Sequence, residues 1–81
     1  MPLTAGQCRA ARALLDWTQD ELASHAGVCR STIRGFENGQ HELHRSSAAV
    51  IRQAFEGAGV VLLDSDAAYG PGVRLRLAEA C

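Results

Sequence analysis

Arginine offers this sequence its clearest chemistry. All eight basic residues are arginines, and the chain contains no lysine. The guanidinium group is planar and always charged, and its fork of N–H donors can form two parallel hydrogen bonds with phosphate or with guanine. Arg30 and Arg34 lie four residues apart, so on a helix they share one face.

Residues that could bind a metal or catalyse a reaction form no recognised pattern. The histidines are His25, His41 and His44, and Cys29 follows His25 by four residues, but this spacing matches no zinc site with paired cysteines. No nucleophile is paired with a base and an orienting group. We therefore expect no metal, no cofactor and no enzymatic activity.

The length and composition predict one small domain. The chain has 81 residues, too few for a catalytic domain beside a recognition domain. The net charge of −1 counts against nucleic-acid binding, for which a basic domain is usual. Three of the nine acidic residues, Asp64, Asp66 and Glu79, lie near the end of the chain, so a neutral total can hide a positive face elsewhere.

Cysteine usage and hydropathy indicate the compartment. Three cysteines, an odd number without a repeating spacing, predict a reducing environment rather than a disulfide framework. No apolar run approaches the roughly 20 residues that span a bilayer. The N-terminus lacks the basic and apolar segments of a secretion signal. We expect a cytoplasmic protein with no membrane partner.

Helical periodicity and capping signals predict four helices before Gly59. A capping box at Thr4 and Gln7 opens the first helix, which runs to residue 16. A second box at Thr18 and Glu21 opens a short helix that ends before a glycine at position 27. The third helix is predicted over residues 30–37 and the fourth from residue 45 or 46 to residue 56. The apolar stripe of the first helix is Cys8, Ala11, Leu14 and Leu15.

The hydrophobic period changes from helical to two after Gly59. Residues 60–63 are a short apolar run, and in residues 73–77 apolar residues alternate with arginines, which is typical of a half-buried strand. Gly70, Pro71 and Gly72 between them are a strong turn signal. The sequence predicts a β-hairpin with a long loop. We divide the chain into a helical domain of residues 1–59 and an extension of residues 60–81 that ends in a short tail.

Residues 18–37 have the layout of a helix-turn-helix, two short helices joined by a tight turn. Ala23 is placed where the helices cross, and a larger side chain there would push them apart. Gly27 supplies the turn conformation. The apolar contacts that fix the crossing angle are expected from Leu22, Val28, Ile33 and Phe36.

The stretch TQDELASHAGVCRSTIRGFENG closely resembles the helix-turn-helix of the Xre family, the phage-repressor-like regulators. The positions that match the family pattern are Gln19, Ala23, Gly27, Ile33 and Glu37. The resemblance covers roughly residues 5–56. It implies a mainly α fold, a four-helix repressor-like DNA-binding domain, to which this chain adds a C-terminal β-hairpin.

The resemblance also implies which residues contact double-stranded DNA. The family places the N-terminal part of the third helix on base edges in the major groove. The base-reading residues implied here are Arg30, Ser31, Thr32 and Arg34. A glutamine opening the second helix binds phosphate in the family, since free backbone N–H groups at a helix start attract anions. The phosphate contacts implied here are Gln19, Asn38, Arg45 and Arg12.

The family also joins an arginine of the first helix to the glutamate that ends the third. Arg12 lies seven residues before Gln19, as in the family, and Glu37 lies at the required end. The resemblance therefore implies a partly buried salt bridge between Arg12 and Glu37.

Two positions of the third helix depart from expectation. Cys29 stands where serine or threonine often caps the helix, and a thiol is a poor acceptor, so we expect a weak cap. Gly35 lies inside the helix, where glycine costs about 1 kcal/mol relative to alanine. It serves either close approach of the backbone to DNA or simple tolerance on an exposed face, and we favour tolerance.

The predicted hairpin is too apolar for a solvated tail, and a lone hairpin is marginal in water. We expect it to form a two-fold dimer interface that sets the recognition helices about 34 Å apart, to match a pseudo-palindromic operator. The interface residues predicted are Val60, Val61, Leu62, Leu63, Val73, Leu75 and Leu77. The alternative is that the hairpin only covers the core of its own protomer.

Two functions remain open. The first is a transcriptional regulator, a repressor or an autoregulated controller that binds DNA as a homodimer. The second is a protein-interaction module, such as an antitoxin or an antiactivator, whose apolar C-terminal segment covers a second regulatory protein or a toxin.

Overall fold

The computed structural model describes residues 2–77. This part of the chain folds into four helices followed by an antiparallel hairpin, which confirms the predicted mainly α class. The elements are α1 (Ala5–Leu15), α2 (Gln19–Ala26), α3 (Arg30–Glu37), α4 (Arg45–Gly57), β1 (Val60–Leu63) and β2 (Gly72–Leu75).

Both predicted capping boxes are present. The Thr4 hydroxyl accepts a hydrogen bond from the backbone N–H of Gln7, whose side chain accepts one from the Thr4 N–H, each at 3.0 Å. Thr18 and Glu21 make the same reciprocal pair at the start of α2, again at 3.0 Å. These bonds satisfy N–H groups that a helix start leaves free. They fix where α1 and α2 begin.

The first three helices are closed by a residue in the left-handed region. Asp16, Gly27 and Gly39 have φ of 58°, 71° and 76°. At each turn the next N–H donates to a carbonyl five residues back, and the distances lie between 2.8 and 3.0 Å. This closure reverses the chain within two residues. It keeps the link between α2 and α3 to three residues.

The core lies where the four helices and β1 meet. Its largest fully buried side chains include Leu22, Ile33, Ile51 and Phe55. Ala23 is also buried, as expected for a small residue at the crossing of α2 and α3. Leu14 departs from the predicted stripe of α1, because its side chain is exposed.

The hairpin pairs β1 with β2 in antiparallel register, from Val60 opposite Leu75 to Leu63 opposite Gly72. The Gln7 side chain of α1 donates to the carbonyls of Leu63 and Gly72 at 3.0 and 3.1 Å, so one amide holds both strands. The hairpin packs against α1 and α4.

Two details of the predicted hairpin were wrong. The second strand was expected to reach Leu77 but ends at Leu75. The register would place Leu77 opposite Ala58, which closes α4 and is not in a strand. Val60 was assigned to the dimer interface, but its side chain is buried in the core of the protomer.

Candidate nucleic-acid interface

α2 and α3 form a compact unit around a three-residue turn. Gly27 closes α2 in the left-handed conformation, and the N–H of Val28 donates to the Ala23 carbonyl at 3.0 Å. α3 begins after Cys29, whose side chain makes no capping hydrogen bond. The expected weak cap is therefore present, and the position of α3 depends on its packing and on its C-terminal end.

The two sides of α3 differ sharply. Ile33, Phe36 and Glu37 are buried against the rest of the domain. Arg30, Ser31 and Arg34 are exposed, and Thr32 is half-buried beside them. The four residues implied as base readers thus lie on the part of the helix that a ligand can reach.

Glu37, at the C-terminal end of α3, is the centre of a hydrogen-bond network. Its side chain is 2% exposed and forms an ion pair with Arg12, with Nη2 of the arginine 2.6 Å from Oε1. Arg12 Nε donates to Oε2 at 2.8 Å, so the contact is bidentate. Such paired, charge-assisted bonds fix orientation as well as distance. The salt bridge between α1 and α3 is present as the family resemblance implies.

Three further side chains reach the same glutamate. Gln19 Nε2 donates to Oε1 at 3.2 Å, and the Cys8 thiol donates to Oε2 at 3.0 Å. Arg9 donates to the backbone carbonyl of Glu37 at 2.6 Å. α1, α2 and α3 therefore meet at one carboxylate. Cys8 and Arg9 are partners that sequence reasoning missed, because their contacts depend on how α1 and α3 cross.

The network shifts the titration of its members. Burial raises the pKa of Glu37, but hydrogen bonds from Arg12, Cys8 and Gln19 outweigh it, so the net pKa is below the ordinary value. Burial, followed by the hydrogen bond to Glu37, raises the pKa of the Cys8 thiol. The hydrogen bond to Glu37 is also the main cause that raises the pKa of Arg12. The carboxylate is thus held charged and the thiol protonated.

A shallow groove brings together base-reading candidates and phosphate-binding candidates. Arg30 and Arg34 from α3 line it with Gln19 from the first turn of α2 and Arg12 from α1, and Thr18 and Asp20 complete its rim. Arg30 Nε lies 3.3 Å from an Asp20 carboxylate oxygen, and both side chains are more than half exposed. An exposed pair of this kind contributes little stability, so a ligand can displace it.

The remaining phosphate candidates lie apart from that groove. Asn38 is the C-cap of α3, and Arg45 is the first residue of α4; both are exposed. They lie at the two ends of the loop that joins α3 to α4.

Gly35 corrects the sequence interpretation. It was expected on an exposed face, but it is buried. A Cβ atom on Gly35 would overlap the His41 imidazole, with Cδ2 of the ring 2.7 Å away. The glycine makes room for a side chain from the following loop. No sequence signal marked His41 as a neighbour of α3.

Residues 2–77 contain no cluster of metal-ligating side chains and no helix that could span a membrane. No group of three His, Cys, Asp or Glu residues there is arranged to hold a metal ion. No helix in that part of the chain is long and apolar enough to cross a membrane.

Comparison with known proteins agrees with this geometry. No curated protein matches the chain. A family model described as helix-turn-helix matches residues 9–56, from α1 to the last turn of α4. The match includes the short α2, the turn, α3 and the Arg12–Glu37 pair. This chain therefore belongs to the Xre-like helix-turn-helix family of DNA-binding transcription regulators.

Proposed function

We propose that the protein binds a specific double-stranded DNA sequence as a homodimer, with α3 in the major groove, and so represses or autoregulates a promoter. The observation that carries the proposal is the two-sided character of α3. Its inner side is held by the buried Glu37 network, and its outer side presents arginines and hydroxyls. A rigid helix with accessible hydrogen-bonding side chains is what major-groove recognition requires.

Base reading is assigned to the N-terminal half of α3. Arg30 and Arg34 are exposed and one turn apart, and each can grip the O6 and N7 atoms of guanine. The Ser31 hydroxyl can bond to any base edge, and Thr32 can bring its methyl group against a thymine methyl. A good bidentate contact discriminates against the wrong base by roughly 1–3 kcal/mol.

Phosphate contacts are assigned around this helix. Gln19 opens α2, where N–H groups and the helix dipole attract an anion, and its bond to Glu37 fixes its direction. Asn38 and Arg45 are exposed at the two ends of the loop between α3 and α4, from which they can contact DNA phosphates. The Arg12 side chain is 19% exposed, so its role is mainly to hold Glu37. These contacts position the protein and carry no sequence information.

Dimerisation is assigned to the hairpin of residues 60–77. Leu75 is 45% exposed and Leu77 is 94% exposed, two residues apart on the same segment, and contiguous exposed apolar surface is typical of interaction sites. Of the other predicted interface residues, Leu62 and Val73 pack against the core of their own protomer, and Val61 and Leu63 lie half-buried on the opposite face of the hairpin. A second copy would cover the exposed leucines together with Val61 and Leu63 around a two-fold axis, and would set the two α3 helices about 34 Å apart on a pseudo-palindromic operator.

The proposed division of labour follows from these assignments. Residues 1–59 are the DNA-binding unit, and residues 60–81 are the extension that brings two such units together. The working compartment is the cytoplasm, where DNA is accessible and Cys8 and Cys29 stay reduced.

Fluorescence anisotropy on two labelled duplexes tests the function. One carries the DNA upstream of the protein's own gene and the other a scrambled sequence, each titrated across salt concentrations. We expect binding to the first to be at least a hundredfold tighter, since specific sites exceed non-specific DNA by roughly 10³–10⁷-fold. Arg34→Ala should lower that preference by roughly 5–160-fold, which corresponds to the 1–3 kcal/mol of one bidentate contact. Arg52→Ala, which removes an equal charge from α4 and lies outside both proposed interfaces, should preserve it.

Equal weak binding to both duplexes would contradict the proposal. The exposed leucines favour a second candidate in that case, a module that covers a partner protein such as a toxin or another regulator. Co-purification of a stoichiometric partner with the full chain would then identify it.

A further inference from the structure

Gly35 is buried on a side of α3 that does not face the core. The helix turns its Ile33, Phe36 and Glu37 side chains inward. Gly35 follows Ser31 by four residues and Thr32 by three, so these three positions share a helix face. That face points outward, towards the proposed DNA site. The burial of Gly35 must come from something that lies over the outside of the recognition helix.

The covering group is the imidazole of His41. The turn at the end of α3 brings it there: the Gly39 N–H donates to the Phe36 carbonyl at 3.1 Å, and the Gln40 N–H donates to the Gly35 carbonyl at 2.8 Å. This pair of bonds is the Schellman closure, which folds the chain back along the helix. The next residue is His41, whose ring lies where a side chain at position 35 would stand.

The imidazole is held on a second side as well. Its Nδ1 atom lies 3.1 Å from the Glu42 carbonyl oxygen, within hydrogen-bonding distance. The residue as a whole remains exposed to solvent. Together with Thr32 it lines a groove between α3 and α4, to which Glu42, Leu43, His44 and Ser47 also contribute. His41 thus lies against α3 and remains accessible beside a predicted base reader.

We propose that His41 is a base-reading residue of this protein. The absence of a side chain at Gly35 leaves the space on the recognition helix in which the His41 ring lies. The inference rests on the proposed entry of α3 into the major groove. A glycine interrupts the outer row of α3 side chains, and the loop fills the gap with an imidazole. An imidazole can both donate and accept hydrogen bonds, so it can read base edges in the groove.

The glycine is the part of this arrangement that simple packing does not explain. Glycine weakens a helix interior relative to alanine, and α3 has only eight residues and no side-chain cap. The ring it accommodates belongs to an exposed residue outside the core. A purely structural role for Gly35 predicts that a methyl group at this position lowers stability and leaves base preference unchanged. A recognition role predicts that the same methyl group changes base preference and does not lower stability.

The test compares the full-length wild type with Gly35→Ala, His41→Ala and the double variant. Each protein selects its preferred sequences from a random 20-base-pair duplex library, and affinities for the wild-type consensus are measured by anisotropy. We expect both single variants to lose preference at the same base position and to bind the consensus about tenfold more weakly. The double variant should be no weaker than His41→Ala alone, because both changes remove one contact.

Matched controls separate recognition from folding. Gly57→Ala places the same methyl group at the end of α4, where a Cβ meets nothing within 4 Å, and should leave the selected sequence unchanged. Thermal unfolding of Gly35→Ala should stay at or above the wild-type midpoint, since alanine favours helix and the imidazole can swing aside. A lower midpoint with an unchanged consensus would mean that the contact is structural and would overturn the proposal.

Two further outcomes are decisive. If His41→Ala weakens binding to all duplexes equally and keeps the consensus, the residue contacts phosphate and does not read a base. If Arg34→Ala abolishes selection while Gly35→Ala and His41→Ala select the wild-type sequence, the role of α3 stands and the inference about His41 fails. Failure of the wild type to select any sequence would instead refute the proposed function and this inference together.

Discussion

The helix-turn-helix and the hairpin are both attached to α1, but in different ways. At one end of the domain, Cys8, Arg9 and Arg12 all donate hydrogen bonds to Glu37, and every contact lies inside the protomer. On the hairpin side, α1 contributes a single polar side chain, Gln7, which bonds to two strand carbonyls. Apolar side chains of the hairpin remain in solvent.

The difference shows how a thin core sets geometry. A buried carboxylate must have its partners, because leaving one unpaired costs several kcal/mol. The orientation of α3 is therefore determined by the protomer alone. The hairpin is held mainly by its backbone ladder and by one face of its side chains, so its surface can serve a contact with another molecule. We therefore expect the proposed DNA recognition and the proposed assembly to be separable by mutation.

The largest effect is expected from removal of the Glu37 carboxylate. Glu37→Ala leaves Arg12 partly buried without its counter-ion and should lower the free energy of unfolding by about 3–5 kcal/mol, a large share of the stability of a small domain. Urea denaturation followed by circular dichroism measures it. Glu56→Ala, at an exposed position of α4, is the matched control and should change stability by less than about 0.5 kcal/mol. Equal curves for the two variants would mean that the network does not hold α3.

Acid should weaken the same network without a mutation. Because the folded-state pKa of Glu37 is below its ordinary value, its contribution is present above about pH 4.5 and is lost as the pH falls through the folded-state value. Stability should therefore fall more steeply below about pH 5 in the wild type than in Glu37→Gln. Glu21 and Asp66 also have lowered pKa values, from backbone hydrogen bonds, but they contribute equally to both proteins. Parallel curves would exclude Glu37 as the titrating group.

The hairpin should respond to a charge in its exposed surface through assembly. Leu75→Asp should weaken the proposed dimer about tenfold or more, since burying a leucine contributes roughly 1.5–3 kcal/mol. Sedimentation equilibrium of the full chain measures the dissociation constant. Leu14→Asp is a control at a similarly exposed leucine, 42% against 45%, and should leave the constant unchanged. A Leu75→Asp dimer as tight as the wild type would place the interface elsewhere.

The smallest effect concerns the polar attachment of the hairpin. Gln7→Ala removes the two bonds to strand carbonyls and one half of the first capping box, and should cost about 1–2 kcal/mol. Hydrogen exchange should show the loss first in the N–H groups of β1 and β2, with α3 protected as before. Equal loss of protection in α3 would mean that the two regions are not separable.

Local signals account for the parts of the fold that were predicted. Capping boxes and left-handed closures act within a few residues, so the bounds of α2 and α3 follow from Thr18, Glu21, Gly27 and the Asn38–Gly39 pair. The burial of Glu37 beneath Arg12 was implied by family resemblance, and its bonds to Cys8 and Arg9 were not. Those contacts depend on the crossing of two helices, which residue spacing alone does not determine.

The remaining errors have the same origin. Alternation of apolar residues suggested a strand as far as Leu77, but a strand needs a partner, and the register runs out at the end of α4. Gly35 was expected to be exposed because no local sequence signal indicates that the His41 ring packs against it. The sequence identified which residues lie on α3, and the structure added the side chain that the loop brings to it.

The buried thiol of Cys8 can report local opening between α1 and the helix-turn-helix, because it reacts only when it becomes accessible. Cys29 is exposed and will react with an alkylating reagent quickly, whereas Cys8 is enclosed, and burial raises its pKa, so little thiolate is present. Alkylation of Cys8 must wait until α1 separates from α3. The chain has a third cysteine, Cys81, so the label is assigned to Cys8 by peptide mass spectrometry, and its rate of appearance measures how often α1 and α3 separate. Bound DNA that holds α3 in place should lower the rate of Cys8 alkylation. Occupancy of the proposed operator can then be followed through a buried residue on α1.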